Sequence, residues 1–164
     1  MKVAVLLADK GTTNPQAGTL NLLNLGWAVT QLQRGPAGLI TPAHAVAVFY
    51  EVEFNRCNRS LPLIVELLNE DGQPVAIPGG PPSMRIEQQI VVFPPPGAPN
   101  GTPGRGNLML EIVPGLPLSP GRYAWNVTLD GDHNEDWSGS FYVFPPVHPP
   151  QVVFGGGPVS PEEG

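Results

Sequence analysis

Hydrophobic residues in this chain fall in short blocks of alternating apolar and polar positions, separated by turn-forming residues. The clearest block places Val46, Val48, Tyr50 and Val52 on one face, which is the two-residue period of a β-strand. No segment has a convincing helical period. The blocks predict about nine strands: Lys2–Ala8, Leu20–Thr30, Ala43–Phe54, Leu61–Asn69, Gln73–Ile77, Met84–Phe93, Asn107–Val113, Arg122–Leu129 and Trp137–Phe144.

The spacing of these strands and their turn signals predict an all-β fold, a single antiparallel β-sandwich that is either immunoglobulin-like or a jelly roll. Asp-Gly between apolar runs indicates hairpins at Glu70–Gly72 and at Asp130-Gly131. We expect a bulge near Gly26. Pro94–Gly106 predicts a long structureless connection, and loops of that length tend to be functional or mobile.

The chain divides into two parts, a sandwich domain over residues 1–144 and a Pro/Gly-rich C-terminal arm over residues 145–164. Proline pairs and a glycine triplet prevent the arm from burying a core of its own. It nevertheless contains three adjacent large apolar residues, Val152, Val153 and Phe154. We predict that these residues bind a partner, because they must either fold back on the domain or enter a groove on another chain.

Composition excludes several classes of partner. The 164 residues include 22 Pro and 20 Gly, only 13% are charged, and eight lysines and arginines leave a net charge of −6. This balance disfavours nucleic acid and anionic membrane surfaces, which bind clustered basic residues. The apolar run Val3–Ala8 is shorter than a signal peptide requires and predicts a buried strand instead. No stretch approaches the length of a membrane span.

The sequence contains no strong pattern of metal-binding or cofactor-binding residues. The single cysteine, Cys57, permits neither an internal disulfide nor a thiolate cluster, and the three histidines lack ligand spacing. The loop Asp130–Asp136 begins like a calcium loop but has Glu135 at the sixth position and Phe141 at the twelfth. We therefore predict a solvated hairpin tip, no metal and no cofactor.

Catalytic patterns are equally sparse. No nucleophile elbow is present, so no catalytic residue is assigned. Glu51 and Glu53 are expected on one strand face about 7 Å apart, a spacing that a glycosidase could use. Solvent-facing positions of a strand explain this pair more simply. A weak hydrolase, with Asp132 and Glu135 as the first residues to test, stays an alternative.

The segment Ser119–Trp125 predicts a structural corner. A Pro-Gly turn leads into a strand that begins with Tyr123, as in the tyrosine corner of immunoglobulin-like domains, where the hydroxyl bonds to backbone. Trp125 lies on the same strand face, two positions later. We expect both residues, together with Trp27 and Trp137, to fill the core.

Four motifs resemble a family of small proteins from actinobacteria and their phages that is known only as a domain of unknown function. They are VAVLLAD near the start, LNLLNLGWAVT, VFYEVEFNRCNRSLPLIVELLNEDGQPV, and LPLSPGRYAWNVTLDG followed by DW. The resemblance covers roughly Met1 to Phe144 and implies no catalytic residues. The chain departs from the family near Lys10–Thr19 and in its C-terminal arm.

These observations predict a non-enzymatic structural or interaction protein, specifically a phage virion component such as a capsid decoration protein. Its partners would be proteins, either further copies of itself or capsid subunits, bound through its loops and arm. A cytoplasmic bacterial binding module for a protein or a small ligand is the alternative.

Overall fold

The computed structural model describes residues 1–147, and these form an all-β structure. Twelve strands are present within this range, and the only helical segment in it is a short 3-10 turn, Phe54–Arg56. The strands are β1 (Lys2–Ala8), β2 (Lys10–Asn14), β3 (Thr19–Leu23), β4 (Val29–Gln31), β5 (Gln33–Gly35), β6 (Gly38–Ile40), β7 (His44–Val52), β8 (Ser60–Asn69), β9 (Arg85–Val91), β10 (Gly104–Ile112), β11 (Gly121–Leu129) and β12 (Asp132–Phe144).

Two larger sheets hold most of the strands. One has three strands in the order β1-β7-β10, and the other has five in the order β4-β12-β11-β8-β9. Neighbouring strands are antiparallel except that β4 runs parallel to β12. The five-stranded sheet is therefore mixed, which corrects the expectation of a purely antiparallel arrangement.

One hydrophobic core receives side chains from both sheets. Strand β8 shows the pattern most clearly, because Leu61, Leu63, Val65 and Leu67 are fully buried while the residues between them are not. Trp125 is the largest fully buried side chain. Burying a leucine or valine side chain stabilises the fold by about 1.5–3 kcal/mol.

Two small hairpins lie outside the larger sheets. The β2–β3 hairpin contacts β7 and β10 on the face of the three-stranded sheet that points away from the core. Gly11 allows this approach, because a Cβ there would lie 2.1 Å from Sδ of Met109. Ala45 and Ala47 are consequently buried although they face away from the core side of β7. The β5–β6 hairpin follows β4 directly.

The second predicted strand, Leu20–Thr30, is wrong as a single element. Strand β3 ends at Leu23 and β4 begins at Val29, because Asn24 and Gly26 both adopt positive φ, at 51° and 87°, and turn the chain. The prediction also missed the hairpin strands β2, β5 and β6, so about nine strands becomes twelve in the described part of the chain.

Other boundaries moved as well. Gln73–Ile77 is not a strand, since only an isolated bridge joins Pro74 to Leu68. The turn at Asp130-Gly131 is confirmed, with φ of 53° and 81°, and β12 begins directly after it rather than at Trp137. The proline-rich connection forms compact turns, for example Thr102 N to Pro99 O at 3.1 Å, and β10 begins at Gly104.

None of the helical segments among residues 1–147 has the length and apolar character to cross a bilayer.

Candidate interaction surface

The predicted partner-binding residues Val152, Val153 and Phe154 lie outside the described residues. The described chain ends at Val147, directly after β12. The surface around Val147 is therefore the described part of the protein that lies nearest to these residues along the chain.

Hydrogen bonds fix the path of the chain as it leaves β12. Leu32 N donates to Phe144 O at 3.0 Å, and Gln31 Nε2 donates to Pro145 O at 3.1 Å. The parallel register that pairs Val143 with Thr30 continues into these contacts. The end of β4 thus holds the start of the C-terminal arm against the β5–β6 hairpin.

A groove of about 740 Å³ opens beside this exit. Its lining consists of Gln31, Leu32, Gln33, Arg34, Gly38, Leu39, Pro146 and Val147, and we call it the exit groove. Leu32 is buried, whereas Leu39 is 44% exposed and Val147 is 71% exposed. Arg34 forms no ion pair with any of residues 1–147. The groove is therefore apolar at its sides, with one cation available to a partner.

Three exposed apolar side chains form a second feature next to the groove, which we call the edge patch: Val29, Tyr142 and Phe144. Val29 lies directly opposite Tyr142 in the register, and the Tyr142 and Phe144 rings are 4.9 Å apart. Phe141 and Val143 point the other way and are buried. Because β4 is the edge of the five-stranded sheet, the patch lies at a border where another chain can approach.

The structural corner lies behind the edge patch. The Tyr123 hydroxyl donates to the Ser119 carbonyl at 2.9 Å, four residues upstream, and the ring stacks on Phe141 with 5.8 Å between centroids. Burial raises the pKa of Tyr123, which keeps this donor protonated. Trp125 is fully buried in the same strand. Both residues fix the position of β12 and thereby of the patch.

The acidic loop Asp130–Asp136 is tied to two arginines. Arg56 Nη1 lies 2.6 Å from Asp132 Oδ2 and 3.4 Å from Asp130 Oδ2, and Arg59 also pairs with Asp130. These contacts raise the pKa of Arg56. Among residues 1–147 no three acidic, histidine or cysteine side chains converge in a metal-binding arrangement. Arg56 and Arg59 thus hold the carboxylates of Asp130 and Asp132, so Asp132 is part of an ion-pair cluster.

The pair Glu51 and Glu53 is separated by the end of β7, since the strand stops at Val52. Glu51 bonds to Arg105 at 2.9 Å and to Lys2 at 3.3 Å, and Glu53 bonds to the Met1 amino group at 2.8 Å. Hydrogen bonds to these cations lower the pKa of both carboxyls. Neither group fits the general acid of a glycosidase, which needs a raised pKa.

Sequence reasoning missed the contact between buried His44 and half-buried Trp27. The rings meet edge to face with centroids 5.5 Å apart, and His44 Nδ1 lies 3.1 Å from the Pro42 carbonyl. His44 Nε2 and Trp27 Nε1 are buried and have no hydrogen-bond partner among the described residues. Burial lowers the pKa of His44 and outweighs the Pro42 contact, so the ring is neutral at pH 7.

Cys57 is also buried, with its Sγ 3.4 Å from the Glu53 carbonyl. Gly104 packs against it, since a Cβ there would lie 2.9 Å from Sγ. The thiol is therefore a packing group enclosed by backbone.

The edge patch and the exit groove were not anticipated from the sequence. Tyr142 and Phe144 were assigned only to a closing hairpin, and Leu39 belonged to no predicted strand. The available signal was the alternation of Phe141, Tyr142, Val143 and Phe144, four large residues in a row, which leaves two of them on the outer face. Comparison with protein-family models and with curated proteins finds no match to this chain.

Proposed function

We propose that this chain is a non-enzymatic interaction protein built on an immunoglobulin-like sandwich, and that it serves as a phage virion component such as a capsid decoration protein. Its partners are capsid subunits and further copies of itself. The observation on which this proposal depends is the edge patch, together with the adjoining exit groove.

The strand order supports the immunoglobulin-like alternative over the jelly roll. In the order β1-β7-β10 opposite β9-β8-β11-β12, the strands correspond in sequence to A-B-E opposite C′-C-F-G. Tyr123 then stands at the start of the strand that corresponds to F, where immunoglobulin-like domains have their tyrosine corner.

The exposure of the edge patch supports protein binding. Val29 is 59% exposed, Tyr142 is 43% exposed and Phe144 is 46% exposed, although all three are large and adjacent. Contiguous apolar surface on a monomer marks an interaction site, and aromatic side chains supply much of the binding free energy at interfaces. The ordered backbone beneath the patch presents it without a folding cost.

The virion assignment rests on the resemblance of the ordered motifs to a family found in actinobacteria and their phages. A decoration protein needs a stable domain that adheres to a capsid lattice through exposed apolar surface. The edge patch meets this need at a sheet border, and the short, three-residue strand β4 limits uncontrolled pairing with other sheets.

The test is the composition of purified particles of a phage that encodes the chain. We expect the protein to sediment with the particles at a fixed copy number, measured by quantitative mass spectrometry. Phe144→Asp should reduce the bound copies at least tenfold, because it places a charge in the patch. Phe93→Asp is the matched control, since Phe93 is 65% exposed and follows β9 at the opposite edge of the same sheet.

If the wild-type protein stays in the unsedimented fraction while the particles assemble normally, the virion role is wrong. Equal losses for Phe144→Asp and Phe93→Asp would show that the edge patch does not carry the contact.

A cytoplasmic binding module remains the second candidate, and the size of the exit groove favours it. A volume of about 740 Å³ falls within the range of small-molecule sites. This candidate predicts a monomer that binds a ligand near Leu39 and does not associate with particles.

A further inference from the structure

We infer that the exit groove binds the apolar cluster Val152–Phe154 from the C-terminal arm of a second copy of this chain. The inference deepens the proposed function, on which it rests, by naming a partner for the groove and leaving the edge patch to the capsid. The result is an exchange of arms between copies.

The described part of the chain ends in the lining of the exit groove. Pro146 and Val147 already belong to the lining of the groove, and the contacts of Leu32 and Gln31 with Phe144 and Pro145 fix this exit. Residues 148–164 continue from that point, and the apolar cluster begins five positions later. An extended chain of five residues spans about 16–18 Å, so the cluster can begin no farther than that from Val147.

The proline pairs of the arm favour the groove of a second copy over the chain's own groove. Proline pairs stand at Pro145-Pro146 and at Pro149-Pro150. Such sequences favour an extended, semi-rigid polyproline conformation with a rise of about 3.1 Å per residue. A chain that continued in this conformation would carry the cluster away from its own exit, and for this reason we infer binding to the groove of a second copy. Since every copy carries one arm and one groove, exchange between copies satisfies both without another component.

The exit groove and the C-terminal arm are complementary in apolar character and in charge. The groove offers the exposed side chains of Leu39 and Val147 to apolar side chains, and the arm offers three. Arg34 is the cation of the lining, and the arm ends with the acidic residues Glu162 and Glu163. An attraction of this kind between exposed charges is weakened by salt. The apolar contact therefore sets the affinity and the charges modulate it.

The experiment uses the full chain in solution and measures its mass by light scattering over a range of concentrations. We expect the wild-type mass to rise from that of one chain to that of two or more as the concentration increases. Leu39→Asp should hold the protein at the mass of one chain. Leu23→Asp is its matched control, because Leu23 is also exposed, at 60%, and lies on the other small hairpin.

The arm is tested separately with the double variant Val152→Asp/Phe154→Asp, which should also remain a single chain. Val159→Asp makes the same type of change in the same arm outside the cluster and should associate like the wild type. The decisive measurement mixes the double variant with Leu39→Asp. One retains an intact groove and the other an intact arm, so the mixture should regain association, with each complex containing one of each chain.

Three outcomes overturn the inference: a wild-type protein that remains a single chain at every concentration, association that survives both types of variant, and a mixture that fails to associate. The last outcome would show that the arm and the groove do not bind each other. None of these measurements involves particles, so a failure here leaves particle binding through Phe144 to be judged independently.

Discussion

The two small hairpins of this protein contrast in what they do to the surface beneath them. The β2–β3 hairpin covers the outer side of the three-stranded sheet, so that Ala45 and Ala47 are buried. The β5–β6 hairpin instead forms one side of the open exit groove and leaves Leu39 exposed. Similar local elements thus have opposite consequences, because one packs on a completed sheet and the other stands beside a sheet edge.

The cause of the difference lies in close contacts. Gly11 has no side chain, so β2 approaches Met109 closely, and Asn107 Nδ2 donates to the Gly18 carbonyl at 2.8 Å near the hairpin turn. In the other hairpin, Gly35 accommodates Ile40 of the neighbouring strand, since a Cβ there would lie 2.6 Å from Ile40 Cδ1. Gly11 thus packs on a strand of the three-stranded sheet, whereas Gly35 packs on its partner strand in the same hairpin.

The largest expected effect comes from charging the covered surface. Ala47→Asp places a carboxylate where β2, β7 and β10 meet, and an unpaired buried charge destabilises a fold by about 3–5 kcal/mol. The matched variant Ala37→Asp lies in the exposed turn of the β5–β6 hairpin and should change stability by less than about 0.5 kcal/mol. Urea unfolding measures both. Equal effects would remove the contrast between the two hairpins.

The sequence predicts the strands whose environment is recorded by nearby residues. It misses the strands that depend on contacts with distant parts of the chain. Strands β8 and β11 were predicted nearly to their ends, because a side chain that alternates between core and solvent records its environment locally. Strands β2 and β5 were missed because Gly11, Thr12 and Thr13, like Gln33 and Arg34, are small or polar and show no alternation, and β6 was missed because it is only three residues long. Their pairing depends on turns and on surfaces contributed by distant strands.

The site was harder to anticipate than the fold. Whether Tyr142 and Phe144 are exposed depends on what covers the outer face of β12, and no local pattern records that. The hydrogen bond from the Tyr123 hydroxyl to the backbone was anticipated because turn, tyrosine and acceptor are close together in sequence. His44 was missed because its burial against Trp27 joins two segments that are separated by the β5–β6 hairpin.

An intermediate effect is expected from pH at the junction between the two hairpin regions, where Trp27 meets His44. The unfolded pKa of histidine is about 6.5 and burial lowers the folded pKa of His44, so the unfolded state binds the proton first. Stability is therefore fully present above about pH 6.5 and falls as the pH decreases towards the folded pKa, by at most about 1.4 kcal/mol per pH unit. Glu51 and Glu53, whose pKa values are lowered from 4.5, add acid sensitivity only below that range.

Urea unfolding at a series of pH values between 7.5 and 5 measures this slope. Asp9, Lys10 and Glu111 are the charged side chains that line the cavity of about 350 Å³ beside His44. His44→Gln should flatten the profile, whereas His133→Gln, at an exposed position, should leave it unchanged. An unchanged slope in His44→Gln would assign the effect to another group.

The smallest expected effect concerns the tether of the covering hairpin. Asn107→Ala removes the hydrogen bond to the Gly18 carbonyl at an exposed site, which should cost about 0.5–1 kcal/mol. Because the packing of Gly11 on Met109 remains, the domain should stay folded while the hairpin opens more often. Amide hydrogen exchange should therefore accelerate in β2 and β3 by about two- to fivefold and remain unchanged in β8 and β11. Gln33→Ala is the control in the other hairpin. If exchange instead accelerates in all strands equally, the hairpin and the sheets unfold as one unit, and the β2–β3 hairpin is then an integral part of the core rather than a cover that opens separately.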